Sequence, residues 1–334
     1  MTRAKSQPRL KDVARQAGVS AATASMALSD HPHVHDATKQ RVRQISHELG
    51  YRPRPRASHA GRAMRRTGLL VLGEREEEQT ELPIMAQLAR AAGEQQVRLE
   101  YTFTDPDLSS EENHAAAGQF VEGVDGLLLL GMVTPALIEQ LRAREAPCVV
   151  LGHCMTEPGG TLPVSTVAFD NLAMGLAATE HLFAQGHRRI AFVCERTPRG
   201  LSHDRWLRGY RLAHAQRGLV PDPALVQITG ERRSGATEPA ANLACLADPP
   251  TGYIAPDDRI ASSLLAALVE RGVTVPPGAL IYESRGPASD PPVLAEHGWV
   301  SGRFDLMAQH GLHQLERVCA NPAEPPVQVL VPFE

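Results

Sequence analysis

Leu10-Lys11-Asp12-Val13-Ala14-Arg15-Gln16-Ala17-Gly18-Val19-Ser20-Ala21-Ala22-Thr23-Ala24-Ser25-Met26-Ala27-Leu28-Ser29 is the stretch that decides how the N-terminal part of this chain folds. Val13, Ala14 and Ala17 recur at helical spacing, so a short amphipathic helix is expected there. Gly18 admits the left-handed backbone that ends it, and Val19 is an apolar plug for the turn. Ser20 is a strong N-cap for a second helix, because its hydroxyl oxygen accepts one of the free N–H groups. Small side chains at Ala14 and Ala24 let the two helices cross closely. A third amphipathic segment holds Val42, Ile45, His47 and Leu49, with Tyr51 just beyond; Gly50 stops it and Pro53 prevents its continuation. Two helices broken at a glycine and restarted at a serine cap read as a helix-turn-helix, a device that sets a helix in the major groove of DNA.

Charge supports that reading. Residues 1–66 hold 14 Lys or Arg against 4 Asp or Glu, a formal +10, which leaves the remainder at −14 within the whole-chain −4. A basic module neutralises phosphates and releases counterions, whereas an acidic bulk stays off DNA.

The 334 residues, 43% hydrophobic and 22% charged, suffice for a small domain plus one large core or two medium ones. No apolar run is long enough to span a bilayer, and no apolar stretch follows the basic N-terminus as a secretory signal requires. Cytoplasmic residence is expected, with nucleoid association when DNA is bound, and no membrane partner. Cys148, Cys154, Cys194, Cys245 and Cys319 are odd in number and scattered, so reduced thiols are expected.

From Thr67 onward short apolar runs alternate with helical stretches. Strands are expected at 68–72, 99–103, 126–130, 148–151, 189–193, 252–255 and 279–282, and helices at 84–95, 113–120, 135–144, 171–185, 204–217 and 260–271. Repeated β-α-β units with continuously apolar strands predict parallel sheets covered on both faces. They exceed one comfortable sheet and restart near residue 160, which predicts two lobes with a ligand cleft at the carboxyl ends of the strands. The expected class is therefore α/β, with residues 1–53 as headpiece, 54–66 as linker and 67–334 as a two-lobed domain.

Nearly the whole chain resembles the LacI/GalR (lactose-repressor type) family of bacterial transcription regulators. The resemblance rests on Leu10-Lys11-Asp12-Val13-Ala14, Gly18-Val19-Ser20 with Thr23 and Ser25, and Val34 with Thr38, Lys39 and Val42. It continues in Leu49-Gly50-Tyr51-Arg52-Pro53, Val167-Ala168-Phe169-Asp170-Asn171, the run from Gly186 to Val193, Gly209-Tyr210-Arg211 and Val275-Pro276. It implies a helix-turn-helix headpiece, a hinge helix that orders on the operator, and a periplasmic-binding-protein-like effector domain. It further implies a homodimer on a palindromic double-stranded operator, and no enzymatic activity or cofactor.

Position by position, Ala21, Ala22 and Met26 stand where the family reads base edges, while Thr23, Ser25 and Tyr51 match backbone or supporting contacts. Alanine and methionine donate no hydrogen bond, so they touch thymine methyls or are simple helix surface. Specificity then leans on Lys11, Ser20, Ser25 and His33, or is modest. In the hinge, Arg56, Ala57 and Ala60 fall in the contact region, and Ala60 replaces the leucine that wedges a minor-groove step. Met64 is the one large apolar side chain nearby, and a phosphate-binding Pro/Arg-rich linker is an equal alternative.

In the effector domain Asp170 and Asp257 match cleft positions, with Pro256 replacing an asparagine. Arg205 lies one residue from the family's effector-binding arginine, and Trp206 takes the aligned place as a stacking surface or plain core. Arg285 falls beside the place of a sugar-binding carboxylate, which favours a sugar acid or sugar phosphate over a neutral sugar. Against this stands an Arg285 paired with Asp257, Asp258 or Glu283 and binding nothing. His31, His33 and His35 alternate, yet no Cys or carboxylate is spaced to complete a metal site. A ligand-responsive repressor is thus expected. The alternatives are a constitutive or activating member with a degenerate site, or a sugar-binding protein without DNA function.

Overall fold

The computed structural model describes residues 10–20, 23, 24, 27, 35–49, 64–72, 78–104, 118, 120–131, 133–152, 163–195, 201–229, 235–284 and 291–334. They fall into two compact units, Met1–Ser58 and His59–Glu334, dividing inside the expected linker.

In the first unit, α1 (Leu10–Ala17) ends as its sequence predicts. Gly18 has φ +67°, its N–H donates to the Arg15 carbonyl, and the Val19 N–H donates back to Ala14 at 3.0 Å. This double bond satisfies the last carbonyls of the helix. Val13, Ala14, Ala17, Ala24, Ala27 and Val42 form the core with α2 (Asp36–Glu48), flanked by Val19, Ile45 and Leu49.

The second unit holds two all-parallel sheets. The first lobe comprises β1 (Arg66–Leu72), α3 (Glu78–Glu94), β2 (Arg98–Phe103), β3 (Gly126–Gly131), α4 (Pro135–Ala143), β4 (Cys148–Leu151) and β5 (Ser165–Phe169). The second contains α5 (Asn171–Ala184), β6 (Ile190–Glu195), α6 (Leu201–Gln216), β7 (Val226–Thr229), α7 (Thr237–Ala244), β8 (Gly252–Ala255), α8 (Asp258–Glu270), β9 (Leu280–Ser284) and β10 (Gly298–Ser301). The chain then returns to the first lobe as α9 (Phe304–Ala320) and β11 (Gln328–Val331). The sheet orders are β11-β5-β4-β3-β1-β2 and β10-β9-β8-β6-β7.

Apolar side chains cover both faces of each sheet, as continuous apolar strands require. The expected restart near residue 160 moves: β5 still pairs with β4, so second-lobe packing begins at Asn171. The helix expected over 113–120 lies largely outside the described residues. Met64 is only 7% exposed and packs in the first-lobe core, which removes it as a free wedge for DNA. Among the described residues no helix is long and apolar enough to cross a membrane.

The lobes are joined where strands of both sheets end. Ser301 and Glu334 exchange backbone hydrogen bonds at 3.0 and 2.9 Å, and Gly302 bridges Phe333. Since β10 ends at Ser301 and β11 at Val331, the carboxyl ends of both sheets meet at this junction. That is where an open α/β sheet presents its ligand site.

Candidate functional site

In the headpiece, Ser20 performs the capping its sequence predicts. Its Oγ accepts the Thr23 N–H at 3.0 Å and lies 2.8 Å from Thr23 Oγ1, while its carbonyl accepts the Ala24 N–H at 2.9 Å. Such a cap contributes about 1 kcal/mol. Both Ala24 and Ala27 are fully buried, which fixes one face of this helix against α1 and α2. Lys11 is exposed and Thr23 half-buried. Ala21, Ala22, Ser25, Met26, His33, Tyr51, Arg56, Ala57 and Ala60 lie outside the described residues.

Asp170, at the junction, caps α5, its Oδ1 accepting the Ala173 N–H at 3.0 Å; its own N–H donates to the Val331 carbonyl. Next to it Asn171 is buried, and its Oδ1 finds no hydrogen-bond partner among the described residues. Asp257 caps α8 through the Ile260 N–H at 2.7 Å, and its Oδ2 lies 3.5 Å from Nε2 of His203. Both aspartates are thus partly committed to helix ends, where a negative charge is favoured.

Arg205 is half-buried on α6. Trp206 is fully buried among Met174, Phe192 and Tyr210, so its ring offers no free face for stacking; its indole N–H finds no partner among the described residues. The ring takes the core role because α5 and α6 cross tightly: a Cβ on Gly175 would lie 2.2 Å from the Trp206 carbonyl oxygen, and one on Gly209 2.2 Å from that of Leu172. Arg285 lies outside the described residues.

Sequence reasoning missed the strongest polar feature. Glu195 ends the fully buried strand β6, and its carboxylate has no exposure at all. Arg259, in the first turn of α8, donates Nη1–H to Oε1 at 2.7 Å and Nη2–H to Oε2. This raises the Arg259 pKa above its ordinary value, Glu195 being the chief cause. A buried carboxylate survives in such surroundings only if paired and hydrogen-bonded. His203 Nδ1 lies 3.3 Å from the Glu195 carbonyl, linking this pair to Asp257. Burial, reinforced by Asp204, Asp257 and Glu195, pushes the neighbouring Cys194 thiol up to about 12, so it stays protonated. Ser284 and Thr229, both buried, end β9 and β7. The available signal was a carboxylate closing an otherwise apolar strand, Ile190-Ala191-Phe192-Val193-Cys194-Glu195.

Comparison with known proteins accords with this geometry. Residues 9–54 match the family described as bacterial regulatory proteins, lacI family, and residues 179–278 match a periplasmic binding protein-like domain. The HTH-type transcriptional repressor CytR of Escherichia coli (strain K12) is 29% identical over 274 residues, covering 80% of this chain and 76% of the relative. Among solved structures, a transcriptional regulator CelR-cellobiose complex is similar with TM-score 0.67 and 24% identity, covering 98% of both chains. The lac repressor dimer bound to operator and the anti-inducer ONPF is similar with TM-score 0.64 and 20% identity, covering 98% of this chain and 97% of that one. With the headpiece turn and the two parallel sheets, these matches identify a lacI-family helix-turn-helix headpiece at residues 9–54 followed by a periplasmic-binding-protein-like domain.

Proposed function

We propose that this DNA-binding transcription regulator is a repressor whose affinity for a palindromic operator is set by an acidic metabolite, such as a sugar acid or sugar phosphate, held at the junction of the lobes. The observation that carries the reading is the gathering of charged and polar groups at the carboxyl ends of the second-lobe strands, beside the chain crossings. Arg259 keeps 48% of its side chain exposed beyond its bonds to Glu195, and so offers guanidinium N–H groups to an incoming anion. Arg205, half-buried on α6, and Arg285 are the further cationic residues that an acidic ligand would call on. Asp170 and Asp257 already accept helix N–H groups, which leaves them less free for sugar hydroxyls.

The DNA-reading set comprises Lys11, Ser20, Thr23, Ser25, Met26 and His33 with the alanines Ala21 and Ala22. Tyr51, Arg56, Ala57 and Ala60 contribute contacts toward the linker. A homodimer is supported by an apolar groove of about 300 Å³ between α3 and β2, lined by Leu69, Met85, Val97 and Leu99, with Tyr101 61% exposed at its rim. Such an exposed apolar groove marks a binding surface, here for a second copy.

A second reading, a constitutive regulator, is favoured by the mutual pairing of Glu195 with Arg259 and of Asp257 with His203. A thermal-shift panel of acidic and neutral sugar metabolites separates the two. Stabilisation by acids alone supports the proposal, stabilisation by neutral sugars alone overturns the anionic class, and indifference to all favours the constitutive reading.

A further inference from the structure

We infer that Asp125 is a positioning residue that ties the DNA-binding linker to the helix running from the interlobe junction, an inference that rests on the regulatory reading above. Asp125 lies in the turn between the 3-10 segment Val121–Gly123 and β3. Its Oδ2 accepts the backbone N–H groups of Arg65 and Arg66, each at 2.9 Å. Its own N–H donates to the Arg66 carbonyl at 2.8 Å. Two adjacent N–H groups on one carboxylate oxygen are charge-assisted bonds, stronger than those of an ordinary turn. They fall where the linker becomes β1, and the preceding Met64 is buried in the first-lobe core. Arg66 is also held from its far side, its guanidinium donating to Glu100 at 2.7 and 3.1 Å.

The third strand of this knot is α9. Cys319 Sγ donates to the Asp125 carbonyl at 3.6 Å, and burial pushes that thiol up to about 12, so the S–H is retained. Gly126 allows the close approach: a Cβ there would lie 2.8 Å from Cys319 Sγ and 2.9 Å from Leu315 Cδ1. The 17 residues of α9 span about 25 Å at the rise of an α-helix. Its first turn stands on the junction. Phe304 meets Phe169 edge to face at 5.1 Å, and a Cβ on Gly302 would lie 2.5 Å from the same Phe169 ring. Arg303 bonds Asp305 at 2.8 and 2.6 Å and Glu334 at 2.9 Å. Because close-packed interiors move as units, a change of lobe angle at Phe304 reaches the backbone of Arg65 and Arg66 through one helix and one carboxylate.

The test uses the full chain, a genomic fragment selected by the wild-type protein, and sonicated DNA of unrelated sequence. Asp125→Ala is expected to weaken binding to the selected fragment about tenfold, and binding to unrelated DNA by less than about twofold, since phosphate contacts alone drive the latter. Asp125→Asn keeps a carbonyl acceptor and restores most of the loss. A folded Asp125→Ala protein that loses both affinities alike would overturn the inference, as would one that binds the selected fragment like wild type. Should Asp125→Ala not fold, hydrogen exchange of the wild-type protein decides. The Arg65 and Arg66 amides are expected to exchange as slowly as those of β1, and exchange at open-chain rates overturns the anchor. A wild-type protein that selects no fragment would sink the regulatory reading itself; one that selects a fragment while Asp125→Ala matches it would sink the anchor alone.

Discussion

The two lobes share an architecture but place most of their polar groups at opposite ends of the strands. In the second lobe Glu195, Thr229 and Ser284 close β6, β7 and β9, and Asp257 with Asp258 follow β8. In the first lobe the strands themselves end in apolar residues or glycine, with Gly131 at φ +89° and Gly152 following β4 at φ +125°, and Asp170 follows β5 at the junction. Its other polar anchors sit at the amino ends. Asp125 binds Arg65 and Arg66 there, and Ser165 Oγ accepts the Val327 N–H at 3.2 Å. One lobe therefore gathers its polar groups at the junction, where we propose that a ligand binds, and the other gathers them where the linker enters β1.

The largest effect that probes this contrast is expected from Arg259→Ala, which strands the buried Glu195 carboxylate. Breaking such a pair costs about 3 kcal/mol, at the low end for buried pairs because half the guanidinium is in water. Urea unfolding of the second unit measures it, and Glu195→Gln in the same background should recover part of the loss. An unchanged midpoint would show that the second lobe does not depend on this pair.

Next come two glycines at first-lobe strand ends. Gly131→Ala meets the Leu72 carbonyl oxygen at 2.1 Å as well as a positive φ, and is expected to cost about 2–3 kcal/mol. Gly152→Ala has nothing within 4 Å and should cost about 1 kcal/mol from backbone strain alone. Equal losses would mean that strain, not the close β1–β3 approach, decides both.

Ser20→Ala should remove about 1 kcal/mol from the headpiece while leaving effector-domain melting untouched. Weaker DNA binding with an unshifted effector-domain transition is the expected pattern. A parallel shift of both would show that the headpiece is not an independent unit.

The smallest effect concerns acid. Burial lowers the His214 pKa from 6.5; its Nδ1 lies 2.9 Å from the Tyr210 carbonyl, and its ring meets Phe183 edge to face and Tyr210 at a tilt. The folded state resists protonation that the unfolded chain accepts, so the stability contributed by neutral His214 is present above pH 6.5 and declines as pH falls below it. His214→Phe should flatten that decline in a pH series of thermal melts. An unchanged slope would assign the loss to His187 and His297, whose pKa values burial also lowers.

How much of this was legible follows from how local each signal is. The headpiece turn could be read residue by residue because Gly18 and Ser20 each do a job defined by their immediate neighbours. Strands β4 and β8 fall at the residues their apolar runs predict. The final segment could not be read this way. Edge strands β10 and β11 leave every residue but Val331 partly or largely exposed, and each includes a polar residue, Ser301 or Gln328. Gly311 stands inside the continuous helix α9 because a Cβ there would meet Leu151 Cδ2 at 2.7 Å, a packing demand with no sequence signature. Glu195 and Arg259 are 64 residues apart and become partners only through the β6–β8 pairing.

Fluorescence anisotropy of labelled fragments from upstream of the protein's own coding region, titrated with and without a panel of acidic and neutral sugar metabolites, tests the division of labour most directly. Salt-sensitive binding to one fragment, shifted by an acidic metabolite, is expected, with the shift lost in Arg259→Ala while ligand-free DNA binding persists. Tight binding indifferent to every metabolite, or a shift that survives in a folded Arg259→Ala protein, would contradict it.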